Sequence, residues 1–168
     1  MKTLTRPSTT ARAATRNKLW SGLLSRRLPL ACLYPYDAIE RIEMVKEGVP
    51  ARLLALIAED MAIPKDKLYA TIGLARATVN RKLREQQVLN QDESERVLGI
   101  ARLVGQVSTV VQESGNPEGF DAAKWVAAWL ERPLQALGGK RPAELMDTAD
   151  GRGIVSDLVA RMQSGAYA

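Results

Sequence analysis

The hydrophobic residues of this chain recur with a helical period, and an alternating pattern of two occurs nowhere at strand length. Apolar residues spaced three or four apart line one face of an α-helix, whereas a half-buried strand needs an apolar residue at every second position. With 168 residues the chain is long enough to bury a proper hydrophobic core. The sequence therefore predicts an all-α fold.

Residues 67–84 have the pattern of two short helices joined by a tight turn. Gly73 supplies a residue that can adopt positive φ where the first helix must end. In the second helix, Ala75, Val79 and Leu83 fall on one narrow stripe and are expected to pack inward. These positions predict a helix-turn-helix.

The opposite face of that second helix carries small, amide and guanidinium groups. Small residues let the backbone approach DNA, Arg pairs with guanine and Asn with adenine, while basic residues at the flanks reach phosphates. This face therefore predicts DNA reading, although helix pairs with a merely solvated polar face are also common in all-α proteins. The candidate DNA-contacting residues are Arg76, Ala77, Thr78, Asn80, Arg81, Lys82 and Arg84.

An earlier helix is predicted to begin after Asp37, which is a good N-cap residue, and to end at Gly48. Ile39, Ile42 and Val45 mark its expected apolar face. Together with the next predicted helix and the helix-turn-helix, it makes a cluster of the size of a small DNA-binding domain.

A long helix is predicted over residues 91–113, opened by a capping box of Asn90 and Glu93. Its apolar residues occupy more than one stripe, so the helix is expected to bury two sides and to bridge two subdomains or two subunits. A homodimer is expected to form here, because operators are commonly read by two-fold pairs. The candidate dimer contacts are Val104, Val107, Val110 and Val111.

Positive charge is concentrated at the start of the chain, where residues 1–36 hold seven Lys or Arg and no acid. The whole chain carries +5, so the remaining residues sum to −2. Residues 1–18 lack an apolar period, and residues 1–36 are therefore predicted to form a flexible basic arm, attracted to polyanions such as DNA. A secretory or transit peptide is the alternative interpretation. The predicted divisions are the arm (1–36), a helix-turn-helix domain (37–90), a connecting and dimerisation helix (91–114) and a C-terminal domain (115–168).

The residue types that the sequence lacks exclude several kinds of catalytic and metal site. The chain has one cysteine, Cys32, and no histidine, which excludes an intrachain disulfide, Ser-His-Asp and Cys-His catalysis, and histidine metal sites. No apolar run reaches the length of about 18 residues that a membrane span needs. An enzyme built on carboxylates is the alternative, yet Glu131, Glu144, Asp147 and Asp150 have no evident nucleophile or metal beside them. We expect a cytoplasmic protein without catalytic residues, cofactor or metal.

Several short motifs occur in a recognisable order and spacing. The N-terminal half contains Glu40-Arg41-Ile42, Glu47-Gly48-Val49-Pro50, Arg81-Lys82-Leu83 and Asp92-Glu93-Ser94; the C-terminal half contains Trp129-Leu130, Pro133, Leu137-Gly138-Gly139, Pro142, Leu145, Asp147-Thr148, Gly151 and Gly165-Ala166-Tyr167-Ala168. From Asp37 onward the chain resembles antitoxins of the Xre/MbcA/ParS family, the partners of RES-domain toxins in bacteria. Tyr69 and Ala75 depart from the usual helix-turn-helix pattern, which places a small residue and a capping Ser there.

The resemblance implies that residues 37–90 bind operator DNA and that residues 115–168 bind a RES toxin, an NAD-consuming protein, and block its active site. Tryptophan is the residue type most enriched in binding hot spots, and glycine lets a peptide group lie against a partner; the same residues also serve commonly as core and turn residues. The candidate toxin-binding residues are Trp125, Trp129, Leu137, Gly138, Gly139, Gly165, Ala166 and Tyr167. The alternative function is a stand-alone helix-turn-helix regulator whose C-terminal half only dimerises.

Overall fold

The computed structural model describes the backbone of residues 9–115 and 117–163, which is all-α as predicted. No strand occurs in these residues beyond one isolated antiparallel bridge between Pro50 and Val88. The α-helices, in chain order, are α1 (Thr9–Leu24), α2 (Ala38–Glu47), α3 (Arg52–Asp60), α4 (Lys65–Thr71), α5 (Arg76–Arg84), α6 (Gln91–Glu113), α7 (Ala122–Leu130) and α8 (Ala149–Gln163). Short 3-10 helices span Leu30–Leu33, Gln135–Leu137 and Pro142–Leu145.

The helix ends follow from local capping chemistry. The side chains of Asp37 and Asn90 each accept a hydrogen bond from the backbone N–H three residues later, at 2.8 and 2.9 Å. In turn, the carboxylates of Glu40 and Glu93 accept from the backbone N–H groups of Asp37 and Asn90. Both predicted N-caps are therefore confirmed as capping boxes. Gly48 ends α2 at φ 87°, a conformation that favours glycine.

Helix α6 is the centre of the fold. It packs against α2, α3, α7, α8 and the 3-10 helix Leu30–Leu33. That 3-10 helix crosses α6 at Gly105, where an added Cβ would lie 2.7 Å from the Cβ of Tyr34 and 3.3 Å from the Cα of Ala31. Only glycine leaves room for this close crossing.

The position of α6 corrects the predicted dimer contact. Val104 is 4% exposed and Val107 is 3% exposed, because the chain's own elements cover them. Neither valine is accessible to a second copy. Val110 and Val111 are half-buried. The wide apolar arc of α6 buries two sides of the helix as predicted, but Val104 and Val107 are covered by elements of the same chain.

The predicted flexible arm is also corrected over the described part of residues 1–36. Residues 9–24 form α1, whose Leu19 and Leu23 are buried in the core. Arg16 is buried as well and forms ion pairs with Glu47 and, at 2.9 Å, with Glu43 of α2. The bond to Glu47 raises the pKa of Arg16. The apolar residues of this polar stretch are too sparse to show a clear period, yet packing against α3 and the ion pairs of Arg16 with α2 order the helix.

Two predicted apolar faces are only partly correct. In α2, Ile39 and Ile42 are 47% and 48% exposed, and Met44 is the buried residue instead. In the helix-turn-helix, Val79 is buried as predicted, but Ala75 is the exposed N-cap of α5 and makes no side-chain capping bond. A helical stripe identifies residues that share a face, but does not decide which face the neighbouring helices cover.

Candidate DNA and toxin interfaces

Helix α5 presents most of its predicted DNA-contacting residues to solvent. Arg76, Ala77, Arg81 and Arg84 are exposed. Thr78 and Asn80 are half-buried on the same helix. Gly73 at φ 67° ends the preceding turn, as predicted. The helix-turn-helix geometry therefore keeps a continuous polar face of α5 accessible.

Two of the exposed arginines are paired with carboxylates. Arg76 lies 3.0 Å from Asp66, and Arg81 lies 3.0 Å from Glu85. Ion pairs between solvent-exposed side chains contribute little, about 0–1 kcal/mol, so phosphates or bases can replace these carboxylates at low cost. Arg84 has no carboxylate partner within the described residues.

Lys82 was predicted to contact DNA, and the structure corrects this. The residue is 9% exposed, and its Nζ donates to Oε2 of Glu93 in α6. Its position beside the apolar stripe suggested a flank that reaches phosphate, but the start of α6 packs over that flank. Lys82 therefore joins two helices and is not accessible to a DNA backbone.

The two C-terminal tryptophans differ in accessibility. Their rings stack at a centroid distance of 5.6 Å and an interplanar angle of 12°. Trp129 is 5% exposed and belongs to the core, so it is not available as an anchor for a partner, contrary to the sequence prediction. Trp125 is half-buried, and the exposed Phe120 lies 6.3 Å from it. Phe120 and Trp125 form what we call the aromatic edge. Phe120, the single phenylalanine of the chain, is not among the candidate residues that the sequence predicts.

The glycine pair of the C-terminal half forms a turn at the surface. Gly138 and Gly139 have φ of 64° and 84°, and a Cβ added to either would meet nothing within 4 Å. Positive φ therefore accounts for both glycines, while their peptide groups remain open to a partner. Leu137 is half-buried and packs against the core. The other candidates, Gly165, Ala166 and Tyr167, lie outside the described residues.

Two family models match the chain, one in each half. Residues 40–102 match the family model described as the Antitoxin Xre-like helix-turn-helix domain. Residues 118–165 match the Antitoxin Xre/MbcA/ParS C-terminal toxin-binding domain.

The chain belongs to the Xre/MbcA/ParS antitoxins.

Two curated relatives support this assignment. The chain is 43% identical over 136 residues to the "Prs ADP-ribosylating antitoxin" of Sphingobium sp. (strain YBL2), which covers 81% of this chain and 86% of the relative. It is 25% identical over 126 residues to "Antitoxin Xre" of Yersinia enterocolitica serotype O:8 / biotype 1B (strain NCTC 13174 / 8081), which covers 75% of this chain and 80% of the relative. The protein is thus an antitoxin with a toxin-binding domain, and not an enzyme.

The two halves of the antitoxin contact each other at the turn of the helix-turn-helix. A Cβ at Gly73 would lie 2.9 Å from the Cβ of Asp147, which precedes α8. Lys67 of α4 pairs with Glu131, just after α7, at 3.2 Å. These contacts connect the toxin-binding half to α4 and the turn, and leave the outer face of α5 open.

No group of three His, Cys, Asp or Glu side chains suited to a metal ion occurs in the part of the antitoxin that the structure describes. Among the same residues, no helix combines the length and apolar character needed to cross a membrane.

Proposed function

We propose that the antitoxin binds a RES-domain toxin, stops its consumption of NAD by covering the active site, and represses its own operon through α5. The observation that carries this proposal is the toxin-binding domain match over residues 118–165, on a domain whose aromatic edge has the exposed Phe120 and the half-buried Trp125. The name of the Sphingobium relative refers to ADP-ribosylation, a reaction that consumes NAD, which supports the choice of toxin chemistry. Because a bacterial operator lies in the cytoplasm, the proposed operator binding requires the antitoxin to be there.

Blockade by contact needs anchors and backbone that can come close, and no catalytic group. The aromatic edge supplies the anchor, because large rings lose little conformational entropy on binding. The turn at Gly138 and Gly139 supplies peptide groups with no Cβ above them. We assign Gly165, Ala166 and Tyr167 to the same toxin-binding surface, on residue type alone.

A complex of fixed stoichiometry tests the toxin-binding proposal. The toxin encoded beside the antitoxin and the full-length antitoxin are mixed at micromolar concentration and examined by sedimentation. We expect one complex, and Trp125→Ala should weaken it at least tenfold. Trp20→Ala is the matched control, because Trp20 is also a half-buried tryptophan but lies on α1; its complex should be unchanged. Two species that sediment separately would contradict the proposal.

Operator binding is tested on α5. Arg81→Ala should weaken binding to the operator by about 1–3 kcal/mol if its guanidinium reads a base. Arg84→Ala should weaken binding to any sequence and reduce the salt dependence, as expected for a phosphate contact. Lys140→Ala, an exposed basic residue of the toxin-binding half, is the control. Unchanged affinity of the Arg81 variant would remove that residue from the interface.

We further propose that the antitoxin binds its operator as a homodimer, because operators commonly have two-fold symmetry. Val110 and Val111 are the members of the predicted contact that keep partial exposure. Charged substitutions at both should yield monomers in sedimentation. A persistent dimer would exclude this surface.

A further inference from the structure

A cavity of about 620 Å³ opens between α2, α6 and α8, away from both proposed interfaces. Its volume lies within the range of about 300–1,000 Å³ that is usual for small-molecule sites. None of the candidate DNA-contacting or toxin-contacting residues lines it. Its apolar wall consists of Ile42, Val45, Leu98, Leu103 and Met146.

Arg102 lines this cavity, and no acidic side chain of the described residues pairs with it. Its Nε is fully buried and has no hydrogen-bond partner among the described residues, which also contain no ion pair to its guanidinium. The side chain is half-buried, and Arg41 is a like charge near it. Burial, and then the charge of Arg41, lower the pKa of Arg102. Arginine remains charged in proteins, and this half-buried guanidinium has no ion pair among the described residues, so an anionic group in the cavity would compensate its charge.

The other polar side chains around the cavity do not satisfy Arg102. Arg152 donates hydrogen bonds to the carboxylate of Glu95, at 3.3 Å, and to the carbonyl oxygen of Met146, at 3.2 Å. Gln106 and Ser156 bond to each other at 2.8 Å. The cavity is lined by four basic side chains and two acidic ones, so its net charge is positive; these are Arg41, Lys46, Arg102, Arg152, Glu95 and Asp157.

Gly153 gives a second, independent indication. It lies inside α8 and lines the cavity, and an added Cβ would meet nothing within 4 Å. Glycine inside a helix is unfavourable relative to alanine, and no contact within the described chain requires it here. A molecule that occupies the cavity would account for the missing side chain.

We propose that this cavity binds a small organic anion, whose carboxylate-like or phosphate-like group accepts from Arg102 while its apolar body lies against the wall of α2 and α6. The planar guanidinium matches two-oxygen acceptors in geometry and charge. Since α2 lies in the helix-turn-helix half and α8 in the toxin-binding half, such a ligand contacts both halves of the antitoxin at once.

The fluorescent probe 8-anilinonaphthalene-1-sulfonate tests the proposal, because it joins an anionic group to an apolar body. Titration into the full-length antitoxin should show saturable binding of one probe per chain. Octanoate should displace the probe at least tenfold more effectively than octanol, which lacks the charge.

Two variants alter the cavity in different ways. Arg102→Met keeps the apolar stem and removes the donor, whereas Gly153→Leu keeps Arg102 and fills the cavity from α8. Each should weaken probe binding at least tenfold, with near-ultraviolet circular dichroism unchanged. The matched controls are Arg84→Met, an exposed arginine on α5, and Ala160→Leu, an exposed residue of α8 that does not line the cavity; both should bind like the natural chain.

Three results would overturn the proposal. Absence of saturable binding would show that the cavity is not a ligand site. Equal displacement by octanol would show a purely apolar site. A dimer that both variants dissociate, without probe binding, would show that a second copy of the chain fills the cavity. If Arg102→Met does not fold, Gly153→Leu alone decides: unchanged probe binding by that variant refutes the site.

Discussion

Lys82 of α5 and Glu93 of α6 form an ion pair in which both side chains are about nine-tenths buried. Glu93 also accepts from the backbone N–H of Asn90 at 2.8 Å and so closes the capping box of α6. One carboxylate therefore both pairs with α5 and caps the start of the central helix α6. This explains why a lysine on the candidate recognition helix is unavailable to DNA.

Removal of Lys82 should destabilise the antitoxin. Lys82→Met leaves the buried Glu93 carboxylate without its partner, and breaking a buried pair costs about 3–5 kcal/mol. The double variant Lys82→Met/Glu93→Gln removes both charges and should recover a large part of this loss. Urea unfolding of the two single variants and the double variant measures the coupling.

The same variants separate a structural lysine from a DNA contact. If Lys82 has only the structural role, folded Lys82→Met should retain the natural salt dependence of operator binding, whereas Arg84→Ala should not. If Lys82→Met kept the natural stability but its operator binding depended less on salt, Lys82 would be a DNA contact.

Arg16 should stabilise the packing of α1 against α2. Arg16→Met retains the apolar stem but loses the bonds to Glu43 and Glu47, and charge-assisted bonds of this kind contribute about 1.5–3 kcal/mol. Urea unfolding and amide exchange over α1 measure the loss. Arg26→Met is the matched control, because Arg26 itself is exposed and its pairs with the exposed Glu59 and the half-buried Asp60 should contribute less than about 1 kcal/mol. Equal effects of the two substitutions would contradict the buried role of Arg16.

Trp129 and Trp125 should separate stability from toxin binding. Trp129→Ala opens the core and should cost about 3–5 kcal/mol of unfolding free energy. Trp125→Ala removes a half-buried ring and should cost about 1–2 kcal/mol, while toxin affinity falls. Thermal unfolding and toxin titration of the same preparations compare the two. If Trp129→Ala instead cost less stability and more toxin affinity than Trp125→Ala, Trp129 would belong to the toxin interface.

The N-cap of α7 should lose its contribution in acid. The Lys124 side chain and backbone N–H both bond to Asp121 and lower the pKa of its carboxyl below the usual range. A lowered folded-state pKa means that the stabilisation is present at neutral pH and is lost as pH falls through that pKa. Asp121→Ala should cost about 1 kcal/mol at neutral pH, mostly as a lost cap because the side chain is exposed. The difference in unfolding free energy between this variant and the natural chain should shrink in acid, because the charge is lost while a neutral carboxyl can still accept a hydrogen bond. A difference that does not change with pH would show that the charge of Asp121 contributes nothing.

Local chemistry made a large part of the fold predictable. Asp37 and Asn90 cap helices through bonds three residues away, and Gly48 and Gly73 end helices through positive φ. These signals act within a few residues, so one sequence is enough to find them.

Contacts distant in sequence were not predictable in the same way. Helix α1 is ordered by partners on α2 about thirty residues later, and Lys82 is covered by the start of α6. Ile39 and Ile42 share a face, yet that face stays exposed. For the candidate site, residue types indicated Trp125, Trp129 and the glycine turn, but only packing shows that Trp125 is partly accessible, that Trp129 is not, and that Phe120 lies beside Trp125.

The most direct test of the account is a titration of the toxin's NAD consumption with full-length antitoxin. Inhibition by coverage predicts that activity falls linearly to zero at a fixed molar ratio, and that deletion of residues 165–168 or Trp125→Ala leaves residual activity. Complete inhibition by both altered forms at the natural ratio, or full activity at every ratio of the natural chain, would contradict it.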